Sequence, residues 1–79
     1  MNTVKVRFFA GARAAAKIDS IEVPAGTLSQ ILASLMIDVE LARVVSQCSF
    51  LVNAVICHDY EVVIPPGSEI DVLPKFAGG

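Results

Sequence analysis

Residues 27–35 read TLSQILASL, and this stretch decides the fold class. Thr27, followed three positions later by Gln30, forms a capping box, which satisfies open backbone N–H groups where a helix begins. The apolar residues behind it recur at the i, i+3, i+4 and i+7 spacing of one helical face: Leu28, Ile31, Leu32 and Leu35. The pattern predicts an amphipathic helix that packs its apolar face against another layer.

Two strands are predicted before this helix. Residues 4–9 alternate apolar and polar side chains and end in Phe9, which strand parity directs outward. Residues 10–16 are small, and we predict that they form a connection to a second strand at residues 19–23. In that second strand, Ile21 and Val23 share one face.

The residues after the helix predict a second helix and more strands. Asp38 is an N-cap residue before a shorter apolar repeat. Residues 49–57 are rich in Val, Ile and Phe, which predicts either one strand that bends near Asn53 or a pair of short strands. The last strand, at residues 69–73, places Leu73 outward.

This order of elements predicts an α+β fold of one domain. We expect a mixed sheet of four to five strands with one main helix and a shorter second helix on one face, which leaves the other face open. The domain is predicted to cover residues 1–73, and residues 74–79 are predicted to form an extended tail. A chain of 79 residues has room for one modest core.

Composition excludes several functional classes. The hydrophobic content is 54%, which suggests that some apolar surface serves a partner. No stretch approaches 18 consecutive apolar residues, so we predict no membrane span. A net charge of −2 and few aromatic residues argue against nucleic-acid binding. No secretory signal pattern is recognisable, and the expected location is the cytoplasm.

The residues that commonly hold metals or act as nucleophiles are sparse. Cys48 and Cys57 lie outside any C-x-x-C spacing, and we predict that they are small buried side chains rather than a disulfide. His58 beside Asp59 is typical of a turn. We therefore predict no metal site and no catalytic triad within this chain.

The last two residues of the sequence are Gly78 and Gly79. Glycine averages about 7% of residues, so two at a chain end have chance odds of about 1 in 200. Without Cβ atoms they form a slim segment that fits a narrow tunnel. Residues 74–79 reach about 20 Å when extended, and Pro74 stiffens their base. We predict that the Gly79 carboxylate is the working group and, as an unreactive anion, is activated by another enzyme.

Several segments together carry a family resemblance: VKVRFFA at residues 4–10, GARAAA at 11–16, CSFLV at 48–52, Pro66-Gly67, and DVLPKFAGG at 71–79. On these segments, which span nearly the whole chain, the sequence resembles the ubiquitin-like β-grasp sulfur carriers and, among them, the small subunit of molybdopterin synthase. One position departs from the family pattern, because Lys75 stands where a second proline is common. That departure concerns the stiffness of the tail and not its chemistry.

The resemblance implies a reaction cycle at Gly79. A ubiquitin-activating-type adenylyltransferase would use ATP and magnesium to adenylate Gly79, and sulfur from a persulfide donor would then replace AMP. The thiocarboxylate would enter the large subunit of molybdopterin synthase and donate sulfur to cyclic pyranopterin monophosphate. Gly78 would permit passage through the tunnel. The chain itself would bind no cofactor and would act as the small, sulfur-donating subunit of a sulfurtransferase.

We also predict a set of residues that dock this chain on its partners. Strand parity selects Phe9 and Leu73, position on the tail selects Pro74 and Phe76, and charge selects Arg13 and Lys17 as pairs for acidic partner residues. The alternative for Phe9 and Leu73 is that the chain's own loops cover them. For the two basic residues, the alternative is simple solvation.

Other functions remain open from the sequence. Sulfur carriers for thiamine or cysteine biosynthesis also end in Gly-Gly on a β-grasp fold. A ubiquitin-like modifier would use the activated Gly79 carboxylate to form an isopeptide with a lysine. A plain protein-interaction domain would work without Gly79.

Overall fold

The structure is a computed structural model and describes residues 2–36 and 38–74. This part of the chain forms seven strands and three helices. The strands are β1 (Thr3–Phe8), β2 (Ser20–Pro24), β3 (Gly26–Thr27), β4 (Cys48–Val52), β5 (Val55–Ile56), β6 (Val63–Ile64) and β7 (Glu69–Pro74). The helices are α1 (Ala10–Ala16), α2 (Leu28–Leu35) and α3 (Val39–Val45).

The main sheet has five strands in the order β2-β1-β7-β4-β5, so that β7, the last strand, is central. The β1 and β7 strands are parallel, and the remaining neighbours in this sheet are antiparallel. A separate two-stranded ladder joins β3 to β6. This architecture confirms the α+β prediction of a mixed sheet, and the small β3-β6 ladder adds to it.

The core lies between one face of the sheet and the helices. Alternate residues of the strands are buried on that face, and the helices cover them with their own apolar residues. The sheet contributes Val4, Val6, Phe8, Val23, Phe50, Ile70 and Val72, and the helices contribute Ala12, Leu28, Ile31, Leu32, Leu35, Leu41 and Val45. The opposite face, which carries Lys5, Arg7, Leu51, Asp71 and Leu73 by strand parity, is the outer face.

The two predicted helices begin where the sequence indicates. Thr27 Oγ1 accepts the Gln30 N–H at 3.1 Å, and Gln30 Oε1 accepts the Thr27 N–H at 2.9 Å, which confirms the capping box of α2. Asp38 caps α3 by accepting the Glu40 N–H at 2.8 Å. None of the helices in the described part of the chain is long and apolar enough to span a membrane.

The predicted connection at residues 10–16 was wrong, because these residues form α1. The carbonyl of Phe9 accepts the N–H groups of Ala12 and Arg13 at 3.0 and 3.3 Å, which starts the helix. Ala12 is fully buried in the core, so packing holds a segment whose own apolar pattern is weak. Lys17, at a φ of 65°, ends the helix in the left-handed conformation.

Residues 48–56 form a hairpin, so the second of the two predicted alternatives is correct. Val52 pairs with Val55, and the two loop residues between them, Asn53 and Ala54, both have positive φ angles, of 49° and 70°. Positive φ at both loop positions is the geometry of a type I′ turn, which matches the twist of the strands. The sequence alone did not predict β6, which has only two residues.

The two cysteines differ in burial. Cys48 is buried in the core, as predicted, and its Sγ donates to the Val44 carbonyl at 3.2 Å. Cys57 is half-buried, so the prediction of a buried side chain was wrong for this residue, and its Sγ donates to the Asp59 carbonyl at 3.4 Å.

Candidate functional site

Because β1 and β7 are parallel, the C-terminal ends of both strands lie side by side at the same end of the sheet. Phe8 pairs with Val72, and the next N–H, that of Phe9, donates to the Val72 carbonyl at 3.3 Å. Phe9 therefore lies beside the point where the chain leaves the sheet toward Gly79. We call Phe9, Leu73 and Pro74 the tail root.

The β4 strand holds the other side of the tail root. Ser49 pairs with Leu73 and Cys48 pairs with Pro74, and these two residues of the tail root are half-buried. Pro74, which we predicted to belong to the tail, is the last residue of β7. Strand pairing thus holds the main chain up to residue 74. The length that the tail can span is therefore counted from the residue after Pro74.

Phe9 has the exposed position that strand parity predicts. Its side chain is on the outer face, and the residue is 37% exposed. The guanidinium carbon of Arg7 lies 5.6 Å from the centroid of the Phe9 ring, within the range of a cation–π contact. The ring is therefore partly covered by a charged side chain and partly open to a partner.

Arg7 also binds the central strand. Its Nε donates to Asp71 Oδ1 at 2.7 Å and its Nη2 donates to Asp71 Oδ2 at 3.0 Å, a two-point pairing of guanidinium and carboxylate. The hydrogen bond to Asp71 and then the charge of Asp71 raise the pKa of Arg7 above its ordinary value. Burial opposes them with a smaller effect, and the charge of Glu69 adds the smallest contribution. Arg7 is cationic at every physiological pH.

Arg7 and Asp71 were not among the site residues predicted from the sequence. They lie 64 positions apart, and only the parallel register of β1 and β7 places them together. The available signal was the strand parity that also selected Phe9, because it puts Arg7 and Asp71 on the outer face. The register itself is not readable from local sequence.

The two predicted basic residues have different positions. Arg13 lines a surface depression with Arg7 and Phe9, and its Nε pairs with Asp19 Oδ1 at 3.1 Å, with both side chains largely exposed. Lys17 is exposed and lies one helical turn beyond Arg13. The structure thus places Arg13, but not Lys17, in the surface depression that Phe9 lines.

Three predicted site residues, Phe76, Gly78 and Gly79, lie outside the described residues. Within residues 2–36 and 38–74, no group of three or more His, Cys, Asp or Glu side chains has the geometry to hold a metal ion. The tail root and the side chains around it combine apolar surface, an aromatic ring and cationic groups. That combination suits binding of another protein.

A model of the ThiS family matches residues 6–79 of this sequence, which include all of the tail root and both final glycines. The chain belongs to the ThiS family. The ThiS match confirms the recognition made from the sequence segments. No curated protein sequence matches the chain.

Solved structures resemble the fold along nearly its whole length. A chain of the complex of subunits 1 and 2 of molybdopterin-converting factor from Helicobacter pylori matches with 25% identity and a TM-score of 0.78, over 98% of this chain and 99% of that one. SAMP1 from Haloferax volcanii matches with 19% identity and a TM-score of 0.82, over 98% and 99%. The putative molybdopterin converting factor subunit 1 from Pyrococcus furiosus matches with 18% identity and a TM-score of 0.77, over 96% and 100%.

These similarities confirm the ubiquitin-like β-grasp fold. This ThiS family member thus shares its fold with a chain of a molybdopterin-converting factor complex and with SAMP1.

Proposed function

We propose that this ThiS family member is the sulfur carrier of molybdenum cofactor biosynthesis, with Gly79 as the donor. The observation that carries the proposal is the position of Gly78-Gly79, at the end of the family match and four and five residues beyond the central strand. The likeness to a chain of the molybdopterin-converting factor complex supports this pathway over the other carriers.

The proposed chemistry begins with activation by a separate enzyme. An adenylyltransferase of the ubiquitin-activating type, with ATP and magnesium, joins AMP to the Gly79 carboxylate and releases pyrophosphate. The terminal sulfur of a persulfide displaces AMP and gives an acyl disulfide. A thiol reductant cleaves that disulfide and leaves Gly79 as a thiocarboxylate. The activation is required because a carboxylate is a poor acyl donor at neutral pH.

The proposed acceptor is cyclic pyranopterin monophosphate, bound in the large subunit of molybdopterin synthase. The tail root docks on that subunit, with Phe9, Leu73 and Pro74 as apolar contacts and Phe76 following on the tail. Arg13 and Lys17 provide charges for acidic residues of the partner. Gly78 lets the chain pass close to the reacting carbonyl, because a side chain there would widen the segment.

Reconstitution tests the pathway. Thiocarboxylated protein, the large subunit and cyclic pyranopterin monophosphate are expected to yield molybdopterin, measured by chromatography and mass spectrometry. The matched control is the same protein with an unmodified Gly79 carboxylate, which is expected to yield none. Sulfur delivery to the thiamine or cysteine pathway enzymes, with none to the pyranopterin, would assign the chain to another carrier class. Isopeptide conjugates between Gly79 and protein lysines would assign it to the modifiers.

A further inference from the structure

We infer that Arg7 is a positioning residue, which holds the Phe9 ring in the orientation that docks the tail root on the large subunit. The docking part of this inference rests on the proposed function, whereas the positioning part concerns this chain alone. Arg7 is not among the residues that contact sulfur or the reacting carbonyl in the proposed cycle, so its effect is transmitted through Phe9.

Asp71 anchors the guanidinium group of Arg7. The two-point contact fixes both the position and the plane of the guanidinium group, because two nearly parallel hydrogen bonds leave little freedom to rotate. The Asp71 side chain is 13% exposed and belongs to the central strand, so the anchor is itself rigid. Glu69 Oε1, 3.9 Å from Nη2, adds a weaker contact on the same side.

The anchored guanidinium then restricts Phe9. Phe9 is the first residue after β1. Its side chain therefore lies beyond the paired residues of that strand. Arg7, two residues earlier on the same face, is the charged group that lies over the ring. A planar guanidinium stacks on an aromatic face better than an ammonium does. The Asp71–Arg7–Phe9 chain of contacts therefore connects the central strand to the exposed aromatic ring of the tail root.

A ring that is held in place before binding loses less conformational freedom when it docks. The contact with Arg7 is partly exposed, and cation–π contacts at such sites correspond to about a two- to fivefold change in an equilibrium constant. We expect a loss of affinity of that size when Arg7 no longer lies over the ring. Arg43, an exposed arginine on α3 that pairs with Glu40 and has no place among the docking residues, provides the matched control.

The first experiment uses the free protein. NMR measures the δ-methylene resonances of Arg7, which the Phe9 ring current shifts, and the ring resonances of Phe9. Replacing Asp71 by Asn (Asp71→Asn) is expected to weaken the Arg7 anchor and reduce the ring-current shift, and Arg7→Lys is expected to broaden or move the Phe9 resonances. Unchanged Phe9 resonances in both variants, with a retained fold, would overturn the positioning role whatever the protein's function.

The second experiment measures affinity for the purified large subunit by calorimetry. Arg7→Lys and Arg7→Gln are expected to weaken binding about two- to fivefold, whereas Arg43→Gln is expected to leave it unchanged. In a Phe9→Ala background, Arg7→Gln is expected to have no further effect, because its partner ring is gone. Equal effects of Arg7→Gln in both backgrounds would overturn the inference. Failure of the unmodified protein to bind would instead contradict the proposed function, and the NMR result would stand by itself.

Discussion

Arg7 and Asp71 join the first strand of the fold to the last through two hydrogen bonds, of 2.7 and 3.0 Å, across the parallel β1–β7 pair. The raised pKa of Arg7 means that its contribution to stability is fully present below the ordinary arginine pKa. That contribution is lost only as the pH rises through the raised value. Around neutral pH, the Arg7 side of this contact is therefore independent of pH.

The first prediction compares the two acidic neighbours of Arg7. Asp71→Ala is expected to lower the melting temperature more than Glu69→Ala, because Asp71 makes the two-point contact and is 13% exposed. Glu69 is 46% exposed and 3.9 Å from the guanidinium, a geometry typical of pairs worth at most about 1 kcal/mol. Thermal unfolding of both variants checks the order. Equal melting temperatures would show that Asp71 does not anchor Arg7.

A second prediction concerns Phe9 as a docking residue. Phe9→Ser is expected to weaken binding to the large subunit about tenfold or more, as for an aromatic residue near the centre of an interface. The melting temperature is expected to change little, because the side chain lies on the outer face and outside the core. Val39→Ser, at an 87% exposed apolar residue on α3, is the control that should leave binding unchanged. A lower melting temperature with intact affinity would make Phe9 a packing residue.

A third prediction tests passage of the final residues through the partner. Gly78→Val is expected to abolish sulfur transfer, measured as molybdopterin formed, because a branched side chain widens the segment next to the reacting carbonyl. Gly11→Val introduces the same side chain where a Cβ atom meets nothing within 4 Å, and this control is expected to transfer sulfur normally. Normal transfer by Gly78→Val would remove the reason for a glycine at this position.

A fourth prediction concerns the hairpin turn. Ala54 has a φ of 70°, a conformation that costs an L-residue roughly 1–2 kcal/mol. Ala54→Gly is expected to stabilise the protein by roughly 0.5–1 kcal/mol, because relief of that strain exceeds the added entropy of the unfolded chain. Denaturant unfolding measures the change. Ala14→Gly, on the exposed face of α1, is expected to have the opposite sign, and stabilisation by both variants would contradict the argument.

The elements that the sequence predicted are those with local signals. The capping box at Thr27 and Gln30 and the apolar spacing behind it are complete within nine residues, and α2 begins as expected. Strand parity likewise predicted that Phe9 faces outward. In contrast, α1 depends on the burial of Ala12 in the core, which is a tertiary feature of a stretch rich in Ala with one Gly.

The residues of the candidate site likewise divide into those that a local pattern predicts and those that depend on the tertiary structure. Phe9, Leu73 and Pro74 were selected from local pattern, and the structure groups them because β1 and β7 run parallel. The Arg7–Asp71 contact depends on the register of strands at opposite ends of the sequence, which no local pattern encodes. Leu73 is half-buried against β4, a feature that follows from its pairing with Ser49. The roles of Phe76, Gly78 and Gly79 stay predictions, since these residues lie outside the described part of the chain.

Intact mass spectrometry detects the proposed thiocarboxylate directly. The protein is first incubated with ATP, magnesium, a persulfide sulfur source, a thiol reductant and the host's adenylyltransferase. We expect a mass gain equal to the exchange of one oxygen for one sulfur, and fragmentation is expected to locate it at Gly79. Protein with Gly79 deleted is the control, and it is expected to show no gain. An unchanged mass of the full sequence, with an adenylyltransferase shown to be active on another carrier, would contradict the assignment of this chain as a sulfur carrier.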